Sequence, residues 1–411
     1  MLQGIGSPIA HAVRSEIGED VNARAVILSG SIGHGHDVIA QVVARSLHRL
    51  SWDVRILDCM ALLGSVGAKL GDQVFRRLTA RPALYDAVHF AHLRQGGAVT
   101  EFMDRAATKR LVRALRAELR REPAELVVSA FATGASAAAK IEAEAMAPSP
   151  KTIVLCTDAL LHRLWVHDGI DMYLVTSAAA AASTRRYLPH ANVSIIPPPV
   201  RDGFYTVSSQ EAARAALGIP AKAPCVLLMG GGWGLGPIVE VASALTQAGV
   251  HVLALAGRNE ALERQLCRRA NADTLLHAFG YTERVPELMA ASDLVVTTPG
   301  ATTCSEARVV GRRLVLLDAV PGHGRENLQH ELEVGDAEAS SAEPEEVVAV
   351  VTAALDRLER PISTGARPAG EWDEAFGVIL ATMGFSASVR SAHRTLLASG
   401  SAPGISRGKE I

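Results

Sequence analysis

A stretch of small residues between positions 299 and 306 combines a tight turn with a single carboxylate. The run at 293–297 before it predicts a short buried strand, and residues 307–310 begin a helical pattern. Pro299-Gly300 is therefore a strand-to-helix turn, with Ser305 and Glu306 expected in the first turn of the helix. Helix-start N–H groups bind anions, whereas a carboxylate repels a phosphate and suits a ribose diol. The stretch predicts a nucleoside diphosphate site, with an acidic residue that only favours a helix N-terminus as the alternative. The candidates are Pro299, Gly300, Ala301, Thr302, Thr303, Ser305 and Glu306.

A histidine in a glycine-rich turn is the first candidate for proton transfer. The strand predicted at 25–29 leads into Gly33-His34-Gly35-His36, and a helix is predicted from Asp37 to Leu50. A neutral imidazole is a natural general base for a hydroxyl, and the glycines leave space for a ligand. A histidine that caps the helix is the alternative. His34 and His36 have no cluster of carboxylates or cysteines around them, so no metal is expected.

Asp158 is a second candidate, because it follows the strand predicted at 152–155. The carboxyl ends of parallel strands share one edge of a sheet, so Asp158 is expected at the same edge as His36. There it could orient a histidine or accept a proton from a hydroxyl, or it could simply cap a helix. His162, Trp165 and His167 follow closely in the sequence.

A third polar loop follows the strand predicted at 313–317. It contains His323, Glu326 and Asn327, at an edge where a sugar attached to a diphosphate would lie. A surface loop that leads into a helix is the alternative.

The elements that must position these residues alternate between strands and helices, which predicts parallel sheets covered by helices. A strand, a glycine-rich turn and a helix open the pattern at residue 25 and again at 225, after the connector Pro197-Pro198-Pro199. Two Rossmann-like domains are therefore expected, with a ligand cleft between them.

The predicted units are a loose leader at 1–22, domains at 23–196 and 209–385, a proline hinge at 197–208 and a mobile tail at 386–411. The predicted strands are 25–29, 54–57, 126–129, 152–155, 172–176, 193–196, 225–229, 250–256, 275–279, 293–297 and 313–317. Further helices are predicted at 237–248 and 371–383.

Composition limits the classes of function. The chain has 411 residues, of which 48% are hydrophobic, 20% charged and 4% aromatic, which is typical of α/β proteins and long enough for two domains. The net charge of −2 gives no reason to expect a nucleic-acid partner. Five cysteines are scattered singly, which fits a reducing cytoplasm. No apolar run is long enough to span a bilayer, and the first twenty residues lack the features of a secretion signal.

Residues 76–121 are strongly basic, with eleven Lys and Arg residues against four Asp and Glu residues. Arg105, Lys109, Arg113, Arg116 and Arg120 recur at helical spacing, with leucines offset from them. This pattern predicts a basic amphipathic helix that could rest on an anionic membrane surface. A helix that covers a sheet with its apolar face is an equally good interpretation.

Taken together in this order, the motifs resemble those of the processive diacylglycerol glycosyltransferases and monogalactosyldiacylglycerol synthases, relatives of the peptidoglycan N-acetylglucosaminyltransferase. The resemblance covers roughly residues 24–355. The matching stretches are Gly33–His36, Thr157–His167, Pro199-Val200-Arg201, Leu227–Gly232, Gly280-Tyr281, Pro299–Glu306 and Pro321–Asn327.

The resemblance implies a GT-B fold, a UDP-hexose donor held by the second domain, a lipid acceptor, and inversion at the anomeric carbon without a metal or other cofactor. It implies that Glu306 binds the ribose, that residues 300–305 hold the diphosphate, and that His36 lies near the attacking hydroxyl with Asp158 beside it. The further donor residues would be Gly230, Gly231, Gly232, Gly280, Tyr281, His323, Glu326 and Asn327; the acceptor residues would be Gly33, Gly35, His162, Trp165 and His167. The sequence departs from the family at His323, where Gln is frequent, at Trp233, where galactolipid synthases have Glu, and at Asp336.

The leading hypothesis from sequence is an inverting glycosyltransferase that moves a hexose from a UDP-sugar to a lipid hydroxyl such as that of diacylglycerol. Its expected location is the cytoplasm, peripherally on the inner face of the cell membrane. The alternatives are a UDP-sugar 2-epimerase of the same architecture, a glycosyltransferase with a soluble small-molecule acceptor, and a non-catalytic UDP-sugar sensor.

Overall fold

Two six-stranded parallel sheets form the frame of the computed structural model, which describes residues 23–30, 35–64, 98–143, 149–335, 337–358 and 370–385. The predictions for the leader at 1–22, for Gly33 and His34, for residues 76–97, for Asp336 and for the tail at 386–411 lie outside these residues. All five cysteines are described and free. None of the described helices is both long and apolar enough to cross a membrane.

The first sheet has the strand order β2-β1-β3-β4-β5-β6, and all its pairings are parallel. Its strands are β1 (Arg24–Ser29), β2 (Asp53–Asp58), β3 (Leu126–Ser129), β4 (Lys151–Cys156), β5 (Met172–Val175) and β6 (Val193–Ile195). Its helices are α1 (Gly35–Arg49), α2 (Cys59–Leu62), α3 (Ala98–Arg121), α4 (Ala132–Ala143) and α5 (Ala178–Tyr187). Strands β1, β3, β4 and β5 are almost wholly buried, as their continuous apolar runs predict for a sheet covered on both faces.

The second sheet has the order β12-β11-β10-β7-β8-β9, again all parallel. Its strands are β7 (Cys225–Met229), β8 (His251–Leu255), β9 (Leu276–Phe279), β10 (Leu294–Thr297), β11 (Arg313–Leu317) and β12 (Ala337–Ser340). Its helices are α6 (Gln210–Leu217), α7 (Ile238–Gln247), α8 (Glu260–Ala270), α9 (Val285–Ala291), α10 (Ala301–Val310), α11 (His323–Val334) and α12 (Pro344–Asp356). Strand β12 was not predicted, because its sequence Ala-Glu-Ala-Ser has no β-branched residue and only one neighbour, β11, holds it at the sheet edge.

The last helix, α13 (Glu371–Thr382), packs against the first sheet rather than the second. Trp372 and Phe376 lie in the same apolar cluster as Ile39 and Val43 of α1. The indole of Trp372 donates a hydrogen bond of 2.9 Å to Ser46 Oγ on α1. This corrects the assignment of residues 209–385 to a single domain, since the final helix returns to the domain where the chain begins.

The connector after Pro197-Pro198-Pro199 is only partly extended. It ends in a short 3-10 helix, Asp202–Phe204, whose Phe204 is fully buried in the core of the second domain. The hinge is thus anchored to the domain that follows it.

Candidate functional site

A cavity of about 540 Å³ lies between the two domains, at the carboxyl edges of both sheets. Topology explains the placement, because the polar candidates follow the carboxyl ends of β1 and β4 in the first parallel sheet and of β7, β10 and β11 in the second. The sequence-predicted residues that line the cavity are Gly35, His36, Asp158, His162, Trp165, Gly230, Gly231, Gly232, Gly280, Tyr281, Pro299, Gly300, Ala301, Thr302, Thr303, Glu306, His323 and Asn327.

Three of the described candidates lie off this cavity. The His167 ring shares a hydrogen bond of 2.8 Å with the carbonyl oxygen of Leu164, and its backbone N–H donates to the Tyr173 hydroxyl. Ser305 lines a smaller cavity of about 180 Å³ on the other side of α10. Glu326 is not among the residues that line either cavity.

His36 is the second residue of α1 and is held in an aromatic corner. The Phe131 ring meets the imidazole edge-on at 5.2 Å between centroids, and the Trp165 ring lies 6.2 Å away. Phe131 covers Gly30, where a Cβ atom would fall 2.5 Å from Phe131 Cγ, so the turn admits only glycine at that point. Phe131 fixes the histidine yet was not predicted. It follows β3 at the same sheet edge, just as Asp158 follows β4, so its position after a buried strand was the signal that could have found it.

The start of α1 lies directly against the start of α10 across the cleft. A Cβ atom at Gly35 would stand 3.3 Å from Thr302 Oγ1 of the second domain. His36 is therefore next to the helix start that is predicted to hold a diphosphate. The residue types at this approach, glycine on one side and threonine on the other, keep the two helix starts close.

The helix after the Pro299-Gly300 turn begins earlier than the sequence predicted. Gly300 is its N-cap and Ala301 its first residue, so Glu306 lies in the second turn rather than the first. The N–H groups of Ala301, Thr302 and Thr303 are the ones that an α-helix leaves without intrahelical partners. These three residues line the cavity together with Glu306. Their N–H groups form a possible anion site, and the Glu306 carboxylate lies one helical turn further along α10.

Glu306 is buried and is held by an arginine from the hinge. Arg201 Nε donates a hydrogen bond of 2.8 Å to Glu306 Oε1, and a second guanidinium nitrogen lies 2.8 Å from the same oxygen. Burial raises the pKa of Glu306 to about 7, while the positive charge of Arg201 opposes that rise. The guanidinium also lies over the Phe204 ring, 4.9 Å from its centroid. Arg201 was predicted only as part of a matching stretch, and nothing in the sequence pairs it with a residue 105 positions away.

The glycine-rich turn after β7 is closed by contacts that exclude side chains. A Cβ atom at Gly230 would fall 2.1 Å from the carbonyl oxygen of Leu235, and Gly234 has a φ of +61°. Trp233 lines the cavity in the middle of this turn. The turn brings backbone groups and one indole to the donor side.

Asp158 reaches the second domain through Asn327. The Asn327 side chain accepts a hydrogen bond of 2.9 Å from the backbone N–H of Ala159, and its Nδ2 lies 3.4 Å from Asp158 Oδ1. Asn327 is 4% exposed. The loop after β4 and the helix after β11 are thus joined across the cleft.

No three His, Cys, Asp or Glu side chains of the described ranges cluster in a way that could hold a metal ion. The groups that converge on the cavity are three histidines (His36, His162 and His323), an aspartate, a buried arginine–glutamate pair and a helix N-terminus. Such a set can bind an anion beside a diol and can move one proton.

Family comparisons agree with this division of the chain. Residues 227–369 match the glycosyltransferase family 28 C-terminal domain, and residues 96–200 match monogalactosyldiacylglycerol (MGDG) synthase. The resemblance drawn from the sequence motifs is confirmed by these two matches.

Curated relatives include a processive diacylglycerol beta-glucosyltransferase of Bacillus pumilus, 30% identical over 181 residues, covering 43% of this chain and 47% of the relative. A probable monogalactosyldiacylglycerol synthase of Glycine max is 29% identical, covering 49% of this chain and 39% of the relative. A processive diacylglycerol beta-glucosyltransferase of Bacillus cytotoxicus is 23% identical over 316 residues, covering 74% of this chain and 79% of the relative. The chain spans about half the length of the first curated relatives it matches.

Solved structures show the fold. Sucrose-phosphate synthase from Thermosynechococcus elongatus superposes with a TM-score of 0.53 at 16% identity, covering 92% of this chain and 100% of that chain. Acinetobacter baumannii MurG superposes with a TM-score of 0.52 at 15% identity, covering 88% and 99%. The chain has the GT-B fold, as the sequence motifs predicted.

Proposed function

We propose that this protein is an inverting glycosyltransferase that moves a hexose from a UDP-sugar to a lipid hydroxyl such as that of diacylglycerol. The observation that carries the proposal is the approach of His36 to the start of α10, beside Glu306, within one interdomain cavity. The relatives named as diacylglycerol glucosyltransferases and galactolipid synthases support the lipid acceptor.

The reaction divides between the two sides of the cleft. The acceptor hydroxyl attacks the anomeric carbon, forming a new C–O bond while the bond from that carbon to the UDP oxygen breaks. The proton of the hydroxyl passes to His36 or Asp158, the two residues that we propose as general base on the acceptor side. The helix-start N–H groups of Ala301, Thr302 and Thr303 receive the charge that develops on departing UDP. Glu306 Oε2 accepts hydrogen bonds from the ribose diol, because both contacts of Arg201 go to Oε1.

We also propose that the protein binds peripherally to the membrane and that its catalysis is independent of metal ions. Peripheral binding at the inner face of the cell membrane is supported by the exposed basic residues of α3, among them Lys109, Arg113 and Arg120. Catalysis needs no bound metal, because a helix N-terminus can stabilise the leaving diphosphate. Transfer is therefore expected to survive an excess of EDTA.

The proposal is tested with purified full-length protein, labelled UDP-glucose, UDP-galactose and UDP-N-acetylglucosamine, and vesicles with and without diacylglycerol. The expected result is a glycolipid with inverted anomeric configuration, formed only with diacylglycerol. UDP-sugar turnover without lipid would favour an epimerase, and transfer to soluble alcohols alone would favour a soluble acceptor. Tight UDP binding with no turnover of any donor would indicate a sensor and overturn the proposal.

A further inference from the structure

The contact between Asn327 and the Asp158 loop joins groups that the proposed reaction uses on opposite sides of the cleft. The loop belongs to the first domain and Asn327 to the second, 168 positions from Ala159. Asn327 is buried, and both polar atoms of its carboxamide take part in the contact: Oδ1 accepts a hydrogen bond and Nδ2 faces the Asp158 carboxylate.

A carboxamide is the side chain that matches this loop. The loop presents a backbone N–H from Ala159 and a carboxylate oxygen from Asp158, and an amide satisfies both with its oxygen and its NH₂ group. An aspartate at position 327 would still accept from Ala159, but it would set a second negative charge against Asp158. A leucine would leave the Ala159 N–H without its acceptor.

Helix α11, which carries Asn327, is fixed to helix α10, which carries the diphosphate turn and Glu306. Arg308 of α10 forms an ion pair with Glu331 of α11, and both side chains are largely buried. His323, the first residue of α11, lines the cavity close to the proposed sugar position. The donor turn and Asn327 therefore lie on two helices of the second domain that a buried ion pair holds together.

We propose that Asn327 is a positioning residue that orients the Asp158 carboxylate toward the cleft from the donor domain. This rests on the proposed function and refines it. In the sequence-based hypothesis Asn327 is one of the donor-binding residues; here its carboxamide acts on the acceptor side through Asp158. Asp158 is then correctly oriented only when the two domains are closed on each other.

The test compares Asn327→Asp with Gln329→Glu, a matched change of amide to acid at an exposed site on the same helix. For Asn327→Asp we expect kcat to fall by about tenfold to a hundredfold, a part of what a well-placed acid or base contributes. The donor KM and the Kd of UDP stay within about twofold of wild type. Gln329→Glu leaves kcat unchanged. In an Asp158→Asn background, Asn327→Asp causes no further loss, because the two residues act as one unit.

A rise in donor KM at unchanged kcat, or full additivity with Asp158→Asn, would overturn the proposal and return Asn327 to the donor site. A second measurement does not need transfer: Asn327→Leu should speed hydrogen exchange at the Ala159 amide, by loss of its acceptor. If wild-type protein transfers no sugar, the proposed function fails. Unchanged exchange at Ala159 would separately overturn the Asn327 contact.

Discussion

At the scale of residues, the proposed donor site contains a buried carboxylate, Glu306. Glu306 is 2% exposed and has one guanidinium partner, Arg201, on its Oε1 atom. Burial favours the protonated acid and the arginine favours the carboxylate, so the pKa of Glu306 is raised to about 7, close to neutrality. The ionised form is the better acceptor for two ribose hydroxyls.

The first prediction concerns the pH dependence of UDP binding. Because the pKa of Glu306 in the folded protein is raised to about 7, the carboxylate is lost as pH falls below 7 and gained as pH rises above it. UDP should therefore bind more tightly at pH 8 than at pH 6, by up to roughly tenfold per pH unit below the pKa. Titration calorimetry at several pH values measures this.

Glu306→Gln is the control, since it keeps the shape of the side chain and cannot titrate. Any remaining pH dependence in that variant belongs to the phosphates of UDP and is subtracted. Identical pH profiles for wild type and Glu306→Gln would show that Glu306 does not accept the ribose hydroxyls.

The second prediction concerns Arg201. Replacement by Met removes the positive charge that opposes the raised pKa of Glu306, so the carboxylate forms only at higher pH. UDP should bind more weakly to Arg201→Met at pH 7, and the loss should shrink as the pH rises. An equal loss at every pH would mean that Arg201 contributes only to packing.

These residues show how far sequence could lead. His36, Asp158 and Glu306 were predicted because each follows an apolar strand, and strand ends share an edge in parallel sheets. The ion pair of Arg201 with Glu306 and the contact of Asn327 with Asp158 were not predicted. Both join residues more than 100 positions apart. The first depends on how the hinge packs on the second domain, and the second on how the two domains pack together.

At the scale of elements, α3 supports both interpretations of its basic pattern. Leu111, Leu115 and Leu119 are buried against the first sheet, so the helix does cover a sheet. Lys109, Arg113 and Arg120 remain exposed on the other side. The apolar face of α3 packs in the core over the part of the helix whose side chains are described, so in that part a contact with a membrane would come from the charged residues.

The third prediction tests that basic face. Arg113→Glu with Arg120→Glu should weaken binding to anionic vesicles by at least about tenfold, since each basic residue near such a surface contributes about 1 kcal/mol. The matched control is Arg268→Glu with Arg269→Glu, two exposed arginines of α8 in the second domain. Co-sedimentation with vesicles measures both. Equal loss in the two double variants would indicate an effect of net charge rather than of α3.

The fourth prediction concerns the ion pair that ties α6 to the second sheet. Arg214 is 3% exposed, lies 2.8 Å from Asp293 Oδ2, and donates to the carbonyl oxygen of Ala291 at the end of α9. Arg214→Met removes the ion-pair partner of the buried Asp293 carboxylate, which keeps hydrogen bonds from neutral groups, and should lower the free energy of unfolding by about 3–5 kcal/mol.

Arg264→Met is the control for that change, because its pair with Glu260 is exposed and 3.6 Å long. The control should lose less than about 1 kcal/mol. Denaturant unfolding of both variants measures the difference. Equal stabilities would mean that the buried pair contributes no more than a surface pair.

The observed bounds of the elements agree with the predicted ones where the apolar pattern in the sequence is strong. Strands β3, β7 and β11 begin and end at the predicted residues. The early start of α10 was missed because Ala301, Thr302 and Thr303 carry no apolar periodicity. That start depends on Gly300 as N-cap and on the turn before it.

At the scale of the whole molecule, the last described helix packs on the domain in which the chain begins. Helix α13 returns from the second domain and inserts Trp372, 4% exposed, into the core of the first domain. The helix predicted at 371–383 is present, but the domain that receives it was not predicted, because an apolar helix face does not specify its partner.

The fifth prediction follows from that return. Trp372→Ala should lower the free energy of unfolding by about 3–5 kcal/mol, from the lost burial and the cavity left behind. Val378→Ala, on the same helix but with Val378 58% exposed, should change it by less than about 0.5 kcal/mol. Thermal unfolding followed by circular dichroism distinguishes the two. Equal effects would show that α13 does not dock on the first domain in solution.

In the proposed reaction the two sides of the cleft have different roles: Glu306 on the donor side binds UDP, and His36 on the acceptor side takes part in sugar transfer. The most direct test measures UDP affinity and sugar transfer for wild type, Glu306→Ala and His36→Ala. We predict that Glu306→Ala binds UDP at least about tenfold more weakly, having lost hydrogen bonds to a charged group. His36→Ala should keep the UDP affinity of wild type and lose transfer. Full transfer by His36→Ala, or unchanged UDP affinity in Glu306→Ala, would contradict the account.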